Sequence, residues 1–294
     1  MASRNIGHAA LARSLRVELD DQPSPDGRVA IEPLNTASGG RTTLPLVARP
    51  RLSVIIPVYN EVGNLEKLVA KVLAVPIDKE LIVVDDGSTD GTSQLQEKVT
   101  AMGPRITWLT HAKNQGKGAG IRTGLGVASG EILVIQDADL EYNPNDFVKM
   151  LAEFDDPSVH VVYGSRFENV NRVLFIWHWF CNKYLGGHYE IRYLHHFLGI
   201  LVLNLLSNVL YRANITDEAT CYKAFRREVL EQFELKCQGF EFCPEVTAKV
   251  RKAGYTITEV PITYHPRSKF EGKKLNWRHG FGAIYTLVKY RFVD

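Results

Sequence analysis

Between residues 52 and 163, short runs of apolar, β-favouring residues alternate with stretches whose apolar residues recur at helical spacing. The first run, LSVIIP at 52–57, is almost continuously apolar, as a strand buried on both faces requires. Leu65, Leu68, Val69, Val72 and Leu73 then repeat with the period of a helix. Further strands are predicted at 80–84, 106–110, 132–136 and 159–163, with helices at 90–100, 119–128 and 147–154. This alternation predicts an α/β fold: a mostly parallel sheet with helices on both faces. Such sheets bind ligands at the carboxyl ends of their strands. Three polar clusters directly follow predicted strands: Tyr59-Asn60-Glu61, Asp85-Asp86 and Asp137-Ala138-Asp139. They are therefore expected to meet in one crevice.

The flanks differ from this pattern. Residues 1–48 have little periodicity and read as a flexible N-terminal extension, leaving 49–294 as the folded domain. The start lacks an apolar core before any cleavage site, so no secretory signal is expected. Residues 167–212 are apolar, aromatic and histidine-rich, and 193–210 fit a strongly apolar helix. No stretch reaches the roughly 18 apolar residues of a membrane span. FLGILVLNLL at 197–206 is too short and contains Asn204. A protein that is cytoplasmic, or peripheral on the cytoplasmic face of a membrane, is expected. Residues 216–264 return to mixed α/β character, and the basic tail ends in a helix-like stretch. No pair of the four cysteines has CxxC spacing, which argues against structural zinc. His178, His188, His195 and His196 show no standard ligand spacing either. A net charge of +2 excludes the strongly basic balance of a nucleic-acid binder.

Asp137 and Asp139, one residue apart at a strand end, can share a divalent cation, and Glu141 can add a third carboxylate. Hard oxygen ligands favour Mg²⁺ or Mn²⁺, which would neutralise a diphosphate. A solvated acidic turn capping the next helix would have the same pattern. In DDGSTDGT at 85–92 the glycines permit a tight turn, and Ser88 or Asp90 can cap a helix. Neither role explains Asp85 beside Asp86: paired carboxylates at a buried strand end are costly without a partner, such as a base or ribose. Pro57 ends the first strand, Tyr59 can stack on a base, and Glu61 can bond to it, although Asn60 and Glu61 also suit a helix cap. The glycines of HAKNQGKGAG at 111–120 suggest close backbone approach to a ligand, with Lys117 or Arg122 near phosphate; a flexible loop is the alternative. Neither the P-loop nor the dinucleotide fingerprint is present.

Taken together, SVIIPVYNE, IVVDDGSTDGT, NQGKGAGIRTG, QDADLEYNP and VYGSRF resemble family 2 glycosyltransferases of the GT-A fold. Within that family the chain is similar to the dolichyl- and polyprenyl-phosphate mannosyl- and glucosyltransferases, over about residues 51–292. The resemblance implies that Pro57, Tyr59, Glu61 and Asp86 hold the nucleoside, with Asp85 close by, and that Asp137 and Asp139 hold the metal. Relatives often carry glutamine where this chain has Glu141. Arg166, and Arg192 beside the apolar segment, would meet the acceptor phosphate. Arg267, with Lys269 or Lys273, would contact phosphates from a C-terminal loop. The donor would be a nucleotide diphosphate sugar, GDP-mannose or UDP-glucose.

Two acceptors remain open at this level. A polyprenyl phosphate presents an anionic oxygen and needs no strong base, and the apolar helix at 193–210 would then face a membrane surface. A sugar hydroxyl needs a carboxylate base. Asp217 or Glu218 would supply it, because this segment lies near the acceptor in similar enzymes. A non-catalytic nucleotide-sugar-binding protein is a third reading, against which the intact Asp137 and Asp139 argue. The stretch at 186–202 is longer than in small bacterial relatives and has no assigned role.

Overall fold

The computed structural model describes residues 49–167, 194–265, 267 and 277–293, all within one compact unit, Val47–Asp294. In chain order the elements are β1 (Leu52–Val58), α1 (Leu65–Ala74), β2 (Lys79–Asp85), a short 3₁₀ turn (Thr92–Leu95) running into α2 (Gln96–Thr100), and β3 (Ile106–Thr110). Then come α3 (Lys117–Leu125), β4 (Ile132–Ile135), α4 (Asp146–Glu153), β5 (Val161–Ser165) and α5 (Leu194–Tyr211). The remainder comprises β6 (Lys223–Arg226), α6 (Arg227–Leu230), α7 (Phe242–Lys252), β7 (Thr258–Pro261) and α8 (Trp277–Phe292).

Among the described residues the strands form one sheet in the order β3-β2-β1-β4-β6-β5-β7. β1 pairs in parallel with β2 on one side and β4 on the other. The chain thus winds outward from β1 to β3 and then returns to β1's other edge. This reversal opens a crevice beyond the carboxyl ends of β1 and β4, where open α/β sheets take their ligands. β1 is buried along its whole length, and Val54, Ile55 and Ile56 have no exposed surface. The continuous apolar run is the sequence signature of that double burial.

One strand departs from the parallel pattern. β6 runs antiparallel to both β4 and β5. Its first residue, Lys223, therefore lies at the carboxyl end of β4, and residues 215–222 reach the same rim as Asp137 and Asp139. Tyr222 makes the connection concrete, donating from its hydroxyl to Gln136 Oε1 at 2.7 Å.

Helices α5, α7 and α8 build a second apolar cluster from Leu203, Tyr211, Ala248, Ala283, Leu287 and Tyr290. Tyr290 Oη donates to Glu245 Oε1 on α7 at 2.9 Å, and the Tyr211 hydroxyl donates to the Leu287 carbonyl. The outward faces stay apolar. Leu198, Val202, Leu205 and Val209 form an exposed stripe on α5, and Phe281, Tyr285, Val288 and Phe292 form another on α8. No helix among the described residues is long and apolar enough to cross a membrane. The expectations for residues 1–48, 168–193 and 268–276, with Arg192, Lys269 and Lys273, lie outside the described residues, as do the side chains of His195 and His196.

Candidate active site

The loops after β1 and β2 are knitted together. Asn60, at φ +53°, donates from its backbone N to Ser88 Oγ at 2.9 Å and accepts from Thr89 N at 2.8 Å. Glu61 N donates to Thr92 Oγ1 at 3.0 Å, and Val62 N to Asp90 Oδ2 at 3.1 Å. Asn60 and Ser88 therefore bond across loops, whereas Asp90 does both: besides Val62 N, it accepts from Thr92 N at 2.9 Å and so caps the start of the 3₁₀ turn, as expected of it. Gly87 and Gly91 take φ of +68° and +98°, the left-handed conformation expected of this turn.

Asp85 and Asp86 are buried and find their partners within the chain. Asp85 accepts from Ser88 N at 3.1 Å and from the Ser93 hydroxyl. Asp86 Oδ1 accepts from Gln115 N at 2.9 Å, and Oδ2 from Gly116 N at 2.7 Å. Its Oδ1 also meets His111 Nδ1 at 2.7 Å, while His111 Nε2 lies 2.9 Å from Thr123 Oγ1. Asp85 thus closes the turn after β2 and Asp86 pins the loop between β3 and α3, which relieves the burial cost of both without a ligand. His111 opens the HAKNQGKGAG run but was assigned no role from sequence, although its place directly after a strand was the available signal.

The glycines at the end of that loop and in the first turns of α3 serve chain packing, a correction to their expected approach to a ligand. Gly116 sits at φ +97° against the Gln238 carbonyl, leaving no room for a Cβ. A Cβ on Gly118 would lie 2.9 Å from the carbonyls of Cys237 and Gly239, and one on Gly120 3.2 Å from Pro57 Cβ. Arg122 lies exposed on α3.

At the end of β4, Asp139 Oδ1 accepts from Glu141 N at 3.1 Å, and Leu140 between them is held at φ +65°. A non-glycine residue is strained there, and such strain is concentrated where a site is over-determined. Lys117, at the first turn of α3, meets Asp137 Oδ1 at 2.5 Å. Burial is the largest single influence and opposes the Lys117 charge, but its neighbours together, Asp137 foremost, outweigh it and hold its pKa well above the ordinary value. Arg267 reaches in from the C-terminal segment. Its Nη1 lies 3.2 Å from Glu61 Oε2, its Nη2 3.2 Å from Asp139 Oδ2, and its Nε 3.7 Å from Glu141 Oε1.

Glu61, Asp139 and Glu141 therefore converge, with Asp137 beside them, although Glu61 stands far from the others in sequence. Among the described residues four carboxylates meet two cations, an excess of two negative charges when all are ionised. Asp139 registers the imbalance: burial first, then repulsion from Asp137 and Glu141, raise its pKa to about 7. A divalent cation fits that deficit and those hard oxygen donors. No three such side chains among the described residues are arranged around a common metal position, because Lys117 and Arg267 occupy the carboxylates. Glu141 departs from its expected role as a ligand. Its oxygens accept from the Tyr264 hydroxyl and from Arg267 N at 2.9 Å, so it anchors the 264–267 segment.

Arg166 stands beside this cluster. Its guanidinium lies 4.9 Å from the centre of the Tyr264 ring, whose hydroxyl donates to Glu141. It is clamped by Asp217, with Nε 2.6 Å from Oδ2 and Nη2 2.7 Å from Oδ1. Asp217 has no exposed surface and spends both oxygens on Arg166, which corrects its expected role as a base. Glu218 is likewise fully buried, and burial raises its pKa to about 7. Pro57 is buried at the end of β1, and Tyr59 is half-buried at the crevice.

A family model described as glycosyl transferase family 2 matches residues 53–233, from β1 through α6. The chain belongs to glycosyl transferase family 2. This family 2 glycosyltransferase is 30% identical over 244 residues to the polyprenol monophosphomannose synthase of Mycolicibacterium smegmatis, covering 79% of this chain and 86% of that protein. It is 29% identical over 249 residues to the dolichol-phosphate mannosyltransferase of Pyrococcus furiosus, covering 82% of this chain and spanning 64% of that protein's length. Its fold is similar to glucosyl-3-phosphoglycerate synthase of Mycobacterium tuberculosis, solved with Mn²⁺, uridine diphosphate and phosphoglyceric acid. That similarity has a TM-score of 0.60 at 16% identity over 83% of this chain and 80% of the other. The family 2 assignment accounts for the order of motifs along β1, β2 and β4.

Proposed function

We propose that this chain transfers a hexose, with mannose the first candidate, from a nucleoside diphosphate sugar to a polyprenyl phosphate, inverting the anomeric carbon. One observation carries the choice of acceptor. The cation Arg166 is held ready beside the acidic cluster, while Asp217 and Glu218, the carboxylates expected to activate a hydroxyl, are buried and engaged. A phosphate acceptor is already anionic near neutral pH, so it needs a cation to seat it and no base. The names of the mycobacterial and archaeal relatives support the same acceptor class.

In this reading Tyr59 and Glu61 receive the nucleoside at the end of β1. Asp86 acts at one remove, fixing the 111–116 loop that forms the crevice wall. Asp137 and Asp139 would hold Mg²⁺ or Mn²⁺, which when bound supplies positive charge to the diphosphate leaving group. Lys117 and Arg267 are the chain's own cations for the same diphosphate. Arg166 orients the acceptor oxygen for direct displacement, and proximity supplies much of the rate.

The exposed stripes of α5 and α8 are the proposed contact with a lipid surface. Neither helix contains an acidic residue, and Arg212, Lys289 and Arg291 are exposed at their ends. Apolar faces rimmed by basic side chains suit an anionic interface.

The test is transfer of label from GDP-mannose, and in parallel UDP-glucose, to polyprenyl phosphates of several lengths with Mn²⁺, followed by organic extraction. A lipid product that releases free sugar on mild acid is the expected result. Label that enters only a water-soluble glycan, or enters nothing at any prenyl length, refutes the reading.

A further inference from the structure

Between α5 and β6, residues 215–218 form neither helix nor strand. A buried segment of that kind must find hydrogen-bond partners outside regular structure. Here side chains supply nearly all of them. Ile215 N donates to Asn208 Oδ1 at 2.9 Å, and its carbonyl accepts from Asn208 Nδ2 at 2.9 Å. Thr216 N and Asp217 N both donate to Glu259, at 2.7 and 3.2 Å. The Thr216 carbonyl accepts from Asn204 Nδ2, and Glu218 N donates to Asn204 Oδ1 at 2.7 Å. The Glu218 carbonyl accepts from Lys223 Nζ at 3.0 Å.

Asn204 therefore brackets Asp217, bonding the residue before it and the residue after it. Glu259, from β7, grips the same peptide from the other side. Asn204 is 3% exposed on a helix otherwise rich in leucine and valine. An amide buried among apolar residues is costly unless both its ends are bonded, and here both are. What the pair holds in place is the carboxylate that clamps Arg166.

We propose that Asn204 and Glu259 are positioning residues for the transfer reaction: by fixing the backbone on both sides of Asp217, they set where Arg166 meets the acceptor phosphate. The inference rests on the assignment of Arg166 to that phosphate. It gives α5 two roles on opposite faces. The face bearing Leu198, Val202, Leu205 and Val209 is exposed, and the face bearing Asn204 and Asn208 holds the segment that carries Asp217.

The experiment uses the full chain, labelled GDP-mannose at saturation and a polyprenyl phosphate dispersed in detergent. Asn204→Leu and Glu259→Gln are made singly and in an Arg166→Gln background. Each single change is expected to raise the acceptor KM about tenfold, as loss of alignment at one charged contact does. GDP–Mn²⁺ affinity, which also reports folding, stays within about twofold. In the Arg166→Gln background neither change has a further effect, as residues acting through one group are non-additive. If Asn204→Leu does not fold, Glu259→Gln on the neighbouring sheet carries the same expectation. Equal losses with and without Arg166, or a parallel fall in nucleotide affinity, overturn the proposal. An acceptor KM that rises in Arg166→Gln but not in the two variants removes the positioning role alone. An acceptor KM unchanged in Arg166→Gln removes the role of Arg166 and the inference together.

Discussion

Replacing Arg267 with alanine should make the nucleotide-free enzyme a better binder of Mn²⁺. The guanidinium lies 3.2 Å from Asp139, a carboxylate that the cation would need, and is held there by Glu61 at 3.2 Å and Glu141 at 3.7 Å. At an effective dielectric of about 20, one such contact is worth roughly 5 kcal/mol of gross Coulomb energy. Desolvation of the partners cancels most of this, and a hydrogen bond to a charged group retains about 1.5–3 kcal/mol net. An entering cation must overcome at least one such bond, so its removal tightens the apo dissociation constant by about 10- to 100-fold. Arg267→Lys should fall between, because an ammonium cannot span three carboxylates as a planar fork does. Calorimetric titration of Mn²⁺ into apo protein measures the effect. With GDP present the sign should reverse, since in the proposed reading the arginine is then a diphosphate ligand and its loss weakens nucleotide binding. An apo Mn²⁺ affinity unchanged or lowered in Arg267→Ala would refute the idea that this side chain stands in for the metal's charge.

Four further outcomes follow from the geometry of the site and of the helices. Asp139, with its pKa raised to about 7, must lose a proton to bind metal, so apo Mn²⁺ affinity should fall about tenfold per pH unit below 7. Its folded pKa exceeds the unfolded value of about 3.9, so its contribution lowers apo stability as pH rises from about 4 to about 7. Glu218 adds a slope of the same sign; the melting-temperature difference between wild type and Asp139→Asn isolates Asp139, and equal slopes in the two proteins would count against the raised pKa. Gly116→Ala should cost about 2–4 kcal/mol, because it combines a left-handed backbone with overlap on the Gln238 carbonyl. A fall in melting temperature under about 2 °C would contradict that packing. Phe281→Glu with Phe292→Glu should weaken cosedimentation with anionic vesicles at least about tenfold while leaving GDP binding unchanged. Undiminished vesicle binding would show that α8 does not touch lipid.

The first half of the sheet was legible because its strands are buried on both faces. LSVIIP and ELIVV admit few other readings, and a polar cluster after each marks the rim. The second half was harder to read. β6 is only KAFR, and its antiparallel pairing with β4 and β5 depends on partners about 60 to 90 residues away in sequence. Asp137 and Asp139 stood out by spacing, whereas the assignment of Asp85, Asp86 and the 116–120 glycines to a ligand overlooked demands made by the chain itself. A carboxylate accepting backbone N–H groups and a glycine abutting a carbonyl look the same in sequence as ligand-binding residues. Tyr264 and Glu259 carried no local signal, since their importance comes from neighbours more than a hundred and about forty residues away.

The reversed strand also bears on how such a chain can diversify. Were β6 parallel to β4, its leading segment would emerge at the far edge of the sheet, about 13 Å from the rim at 3.3 Å per residue. Running backwards, it delivers residues 215–222 to the rim without altering the loops after β1 and β2. In the proposed reading, donor grip and acceptor grip are thus carried by separate stretches of polypeptide that meet at one rim of the sheet. A replacement of the second stretch could change what is glycosylated while the first continues to hold the same sugar nucleotide.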